Sequence, residues 1–169
     1  LPGDLKSHSA WFVRFAKENN TYHYHLRYTD LGENFQDNVN QTGFIQDDDR
    51  KEIDSDIEYK FWYKNTLKYL SVAGKNNIFW SQDGILRSWY LTYVGRLFFE
   101  NKLSLDLKYN NEYKNSFRDV QDDYYNHFYK MVVGYNTDEN EHIHIGWENG
   151  MNFNRNYDLI EMHAAYQLF

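Results

Sequence analysis

Apolar and polar residues alternate almost one for one along most of this chain. That pattern is what most limits the folds open to it. Successive side chains of a strand point to opposite faces, so period-two alternation gives a sheet with one apolar and one polar face. The clearest run is 53–63: Ile53, Ile57, Tyr59, Phe61 and Tyr63 fall with Ser55 on one face, and Asp54, Asp56, Glu58, Lys60 and Trp62 on the other. At 103–109, Leu103, Leu105, Leu107 and Tyr109 oppose Ser104, Asp106 and Lys108. At 22–28, Tyr22, Tyr24, Leu26 and Tyr28 oppose His23, His25 and Arg27. At 143–147, Ile143, Ile145 and Trp147 oppose His144 and Gly146. The last run sets Ile160, Met162, Ala164, Tyr166 and Leu168 against Glu161, His163 and Gln167. Weaker alternation marks 11–17, 89–97 and 125–135, and 67–80 reads as one long strand with a bulge at Gly74-Lys75-Asn76-Asn77. Nine strands result, or ten if that turn splits the segment. Nothing holds apolar residues at i, i+3 and i+4 long enough for a helix.

With 169 residues and no linker or low-complexity tract, residues 1–169 read as one domain. No cysteine is present, which removes disulfides, thiolate metal sites and cysteine nucleophiles. A net charge of −7 argues against nucleic acid as a partner, since phosphate binding rests on basic surface. Aromatic content of 20% is far from disorder. No apolar run approaches the roughly 20 residues of a spanning helix. A membrane β-barrel remains open, because its strands need only every second residue apolar.

Short and longer connections alternate in this reading. Glu18-Asn19-Asn20, Lys64-Asn65-Thr66, Phe99 to Lys102 and Asn136 to Glu141 are the short set; 30–49, 81–86, 111–122 and 149–156 are the longer set. Outer-membrane barrels sort their loops this way, with short periplasmic turns and longer external loops. The fold class expected is therefore all-β: an up-and-down antiparallel transmembrane β-barrel. If the final strand runs down to the periplasm and ends at Phe169, the first strand enters from outside. Complete bacterial barrels have even strand numbers, so nine strands suggest the C-terminal nine (or ten) of a larger barrel. Leu1-Pro2-Gly3-Asp4 has neither a basic n-region nor an apolar h-region. The chain is accordingly expected to be a mature product or a piece of something longer.

Tyr28-Thr29-Asp30-Leu31-Gly32-Glu33-Asn34-Phe35, followed by Thr42-Gly43-Phe44-Ile45-Gln46-Asp47-Asp48-Asp49-Arg50, is the most specific stretch. It resembles a motif of a Bacteroidota family of large outer-membrane proteins. In that family a family-nine-like carbohydrate-binding domain precedes a C-terminal region of unknown function that looks like a membrane barrel. The resemblance is close over about 25 residues and loose over the rest. It implies a bacterial outer-membrane location and a structural or transport role, with a link to glycan binding or uptake. That family often carries a basic residue after Gly-Phe-Ile, where this chain has Gln46 and three aspartates.

Several residues are candidates for chemistry. His23/His25 and His142/His144 are His-x-His pairs whose imidazoles share a strand face, as Zn²⁺ or Cu²⁺ ligands would, with His163 available as a third. The bland reading of both is polar lining of a wet lumen, and the expectation is no bound metal or cofactor. Glu33, Asp37, Asp47, Asp48 and Asp49 offer oxygen ligands suited to Ca²⁺, though without EF-hand spacing, and with Phe35 they otherwise belong to a solvated external loop. No Gly-x-Ser-x-Gly elbow, phosphate loop or dinucleotide fingerprint is present, so an enzyme is not the expectation. Ile57, Tyr59, Leu105, Leu107, Ile143 and Ile145 are expected to face lipid, and Tyr22, Tyr63, Trp89, Tyr135 and Trp147 to sit at the interfaces. Expected partners are outer-membrane lipid, upstream strands of the same polypeptide or of a partner barrel chain, and a glycan. The alternative is a secreted soluble β-sandwich or lipocalin-like ligand-binding module.

Overall fold

The computed structural model describes residues 7–35, 49–115 and 123–166. Nine strands run in chain order: β1 (Ala10–Glu18), β2 (Tyr22–Leu31), β3 (Arg50–Trp62), β4 (Leu67–Trp80), β5 (Leu86–Phe99), β6 (Leu103–Asn115), β7 (Asp123–Tyr135), β8 (His142–Asn152) and β9 (Arg155–Ala165). Each pairs antiparallel with its sequence neighbours, giving one sheet of order β1 to β9. The sheet is not closed: among the described residues β1 pairs only with β2, and β9 only with β8.

Register carries the alternation across the sheet. One line of partners reads Tyr59, Val72, Gly95, Leu107, Met131, Trp147 and Ile160. The next reads Phe61, Leu70, Leu97, Leu105, Val133, Ile145 and Met162. The opposite face carries His25, Asp56, Lys75, Thr92 and Asn110 along one line, and Lys60, Ser71, Arg96 and Asp106 along another. Directly opposed side chains lie close enough to interact, so the strand pattern becomes two continuous surfaces of opposite character.

Burial is inverted relative to an ordinary domain. Ser71, Thr92, Ser104, Asn110, Asn126 and Glu52, all on the polar face, are buried. Ile57, Leu107, Ile145 and Ile160 on the apolar face are 63%, 52%, 53% and 73% exposed. A sheet wrapped around its polar side has this distribution. Among the described residues the buried hydrophobics are Tyr69, Phe98 and Tyr113; Tyr69 and Phe98 stack on the polar face at 5.2 Å.

Three expectations are corrected. The stretch 67–80 is one strand, but its register is regular at Gly74; the irregularities lie between Leu67 and Tyr69 and between Phe79 and Trp80. Gly74 instead opposes Ile57 and Tyr93, whose side chains would lie 3.7–3.8 Å from a Cβ at that position. The connection expected over 149–156 shrinks to Phe153-Asn154, a two-residue turn with both φ values positive (46° and 60°). That is the backbone of a type I′ hairpin, whose twist matches that of the strands. The third loop shortens as well, because β6 continues to Asn115. The connection 32–49 remains long, so the sorting of loops by end is only partial.

Candidate functional site

The polar face is organised by ion pairs between strands. Arg27 on β2 reaches Asp54 on β3 at 3.1 Å, and Lys75 on β4 reaches Asp56 at 2.8 Å. Arg96 Nε and Nη2 donate to the two carboxylate oxygens of Asp106 at 2.6 and 2.9 Å, a bidentate fork. Lys130 on β7 sits 2.6 Å from Glu161 on β9 and 3.7 Å from Glu148 on β8. Uncharged donors fill the gaps: Ser71 Oγ donates to the Glu58 carboxylate at 2.6 Å, Thr92 Oγ1 to Asn110 at 2.6 Å, and Asn126 Nδ2 to the Glu112 carboxylate at 2.8 Å. Charges enclosed by a sheet need such partners. The sequence shows which residues are polar; only the register shows who pairs with whom.

Both His-x-His pairs lie on this polar face, and register brings each a third donor. His163 on β9 stands directly opposite His144 on β8. His142 Nε2 is 3.1 Å from His163 Nδ1, and the donor atoms of His142, His144 and His163 all lie within 4.8 Å of one another. The second group is His23, His25 and Asp56, with 3.4 Å between His23 Nε2 and His25 Nδ1. Its donors are already engaged: His25 Nε2–H donates to Asp54 at 3.1 Å, and Asp56 holds Lys75. Asp56 had no signal in the sequence as a histidine partner, since its proximity comes from cross-strand pairing with His25. Both groups lie toward the sheet end that carries the turns between β1 and β2 and between β7 and β8.

The oxygen-rich candidate for Ca²⁺ is not assembled among the described residues. Asp37, Asp47 and Asp48 lie outside them. Asp49 pairs with Arg87 and accepts the Gln82 backbone N–H at 2.7 Å. Gln82 in turn donates to Asp30 at 2.6 Å and to the Leu31 carbonyl at 2.9 Å. Asp49 therefore braces the β4–β5 turn against the ends of β2 and β3. Glu33 and Phe35 lie in the turn after β2, where the Phe35 N–H donates to the Gly32 carbonyl at 3.1 Å.

The six residues expected to face lipid, Ile57, Tyr59, Leu105, Leu107, Ile143 and Ile145, share the apolar face. Gly95 leaves a hollow there of about 560 Å³, walled by Val72, Tyr93, Leu107, Tyr129 and Met131. Tyr22, Tyr63 and Tyr135 fall near strand ends, whereas Trp147 falls mid-strand between Met131 and Ile160. No helix among the described residues is long and apolar enough to cross a membrane. Comparison with known protein families, with curated proteins and with solved structures finds no match to this chain.

Proposed function

We propose that this chain is part of a transmembrane β-barrel of the bacterial outer membrane, with a structural or transport role. The observation that carries this reading is the inversion of the sheet. A continuous apolar surface is exposed across β3 to β9, while ion pairs and hydrogen bonds fill the enclosed face. Water penalises the first and lipid rewards it. Strands of 9 to 14 residues suit a tilted span, which takes about 9–11 residues in hydrocarbon. The hollow over Gly95 is the kind of apolar groove an acyl chain fills. The resemblance over Tyr28–Phe35 and the segment beginning at Thr42 supplies the Bacteroidota outer membrane as the location and a link to glycan uptake.

The open edges define the partners. In hydrocarbon each unpaired N–H or C=O costs several kcal/mol. An exposed β1 of nine residues and a β9 of eleven are not tolerable there alone. Both edges are therefore proposed to pair with strands outside residues 1–169, in the same polypeptide or in a partner barrel chain. A soluble sandwich would need a second layer over the apolar face, and a lipocalin-like barrel would turn that face inward.

The test is fractionation of cells expressing the gene product that carries these residues. The expected result is recovery in outer membranes, resistance to alkaline carbonate extraction, and a mobility shift on gels between unheated and boiled samples. Purification as a stable protein from buffer without detergent would overturn the reading.

A further inference from the structure

We infer that His142, His144 and His163 form a binding site for a late first-row divalent cation, Zn²⁺ or Cu²⁺, on the polar face at the β8–β9 edge. The inference is independent of the membrane reading, because it rests on the imidazoles alone. Three neutral imidazoles suit these ions and not Mg²⁺ or Ca²⁺, which take oxygen ligands.

The geometry favours this cluster over the one on β2 and β3. His142 and His144 share a strand face, and His163 opposes His144 across the ladder. The three rings stack nearly parallel, with centroids 5.0 to 6.1 Å apart. Ligand atoms around a tetrahedral ion with Zn–N bonds near 2.0–2.1 Å stand roughly 3.3 Å apart. His142 Nε2 and His163 Nδ1 are already at 3.1 Å, and the third donor lies within 4.8 Å. Closing the set takes turning of the rings, since stacked parallel rings do not aim their in-plane lone pairs at one point. His144 is bordered by side-chain ends rather than backbone, the Thr137 methyl over Gly134 and the Glu161 carboxylate over Gly146. Gly134 is its direct partner on β7 and Gly146 follows it on the same face. A Cβ at Gly134 would come within 3.3 Å of His144 Cβ.

The tautomer of His142 is fixed as a ligand needs. Its Nδ1 lies 2.9 Å from the Glu139 carbonyl, which can only accept, so Nδ1 carries the proton and Nε2 presents a lone pair to the cluster. A backbone carbonyl bonded to the far ring nitrogen is the usual outer support of a ligating histidine. With no ion, His163 Nδ1–H donates to that lone pair. When the ion binds through His163 Nδ1, that proton leaves to solvent and His163 Nε2 takes one up, with no net release. No hydrogen bond ties these three donors to a cation or a carboxylate among the described residues. In the second group Lys75 would have to give up Asp56.

The test is titration of the intact, tag-free protein with ZnCl₂ and with CuCl₂ in a non-chelating buffer, with MgCl₂ as control. Expected is one saturable site for Zn²⁺ and for Cu²⁺ and none for Mg²⁺. His144→Ala should weaken it by more than about 100-fold, beyond what loss of an outer support alone costs. His23→Ala should leave it unchanged. Electron paramagnetic resonance of the Cu²⁺ form reads the ligands without any variant, and nitrogen splitting from three imidazoles is expected. Absence of saturable binding, equal affinity in His144→Ala, or coupling to a single nitrogen would each overturn the site.

Discussion

Leu159 and Ile160 are adjacent on β9 and point to opposite faces, Leu159 paired with Glu148 and Ile160 with Trp147. That adjacency makes them a test of face assignment at single-residue scale. In a bilayer Ile160→Arg should cost about 2–4 kcal/mol, the range for a midplane arginine on a lipid-facing surface. Leu159→Arg, beside Glu148 on the wet face, should stay within about 0.5 kcal/mol, as unconstrained surface changes do. Equilibrium urea unfolding in lipid vesicles measures both, and equal costs would remove the assignment. Two glycines make a second contrast. A Cβ at Gly150 would meet the His127 carbonyl oxygen at 2.2 Å and Phe128 Cα at 2.7 Å, which are backbone atoms. At Gly134 the nearest clash, at 2.3 Å, is the Thr137 methyl, a side chain able to turn away. Gly150→Ala should therefore destabilise by about 1–3 kcal/mol, the cost of overpacking, and Gly134→Ala by clearly less. Similar losses for both in the same unfolding assay would contradict this.

At the scale of elements the β8–β9 hairpin is an exacting connection. Asn154 sits at φ 60°, a region asparagine tolerates and β-branched residues do not. Asn154→Gly should be close to neutral, while Asn154→Val should lose roughly 1–2 kcal/mol from the left-handed backbone. Thermal melts followed by circular dichroism at the β-sheet band decide between them. Phe153 adds a T-shaped contact with Tyr124 at 5.1 Å, and its N–H donates to Asn126 at 2.8 Å. This turn thus ties β8–β9 to β7 as well as reversing the chain. The sequence underrated it, because Asn-Phe-Asn-Arg lacks the Asn-Gly or Asp-Gly signal that marks such turns.

For the whole molecule the decisive feature is that the sheet has two ends. Interior strands exchange hydrogen bonds on both sides, while β1 and β9 do so on one. Hydrogen exchange read by mass spectrometry should find peptides from β5 and β6 protected and those covering 10–18 and 155–165 fast in the isolated 169-residue chain. In the proposed assembly with outside strands both edge peptides should slow to the level of the interior. Equal, strong protection of the edges in the isolated chain would mean that they pair with each other, and that no outside strand is needed. Exposure along the whole of β1 fits a strand awaiting a neighbour.

The sequence by itself determined the all-β class, a strand count of nine or ten and the sorting of residues between faces. Period-two alternation is local, and a side chain's face follows from position along its own strand. That is why Ile57, Leu107 and Ile145 on one side, and His25, Asp106 and His144 on the other, were legible without coordinates. Strand ends and the turn at Phe153-Asn154 were less so, since turn geometry depends on backbone angles that several residue types can adopt. Tertiary structure alone decided the partnerships: Arg96 with Asp106, Lys130 with Glu161, Asp56 with the His23/His25 pair, and His163 opposite His144. Each joins residues on different strands, and a shift of one residue in register would have separated all of them. It also decided that the sheet stays open, because closure depends on whether two strands 137 residues apart, from Glu18 to Arg155, can meet. No local pattern encodes that distance.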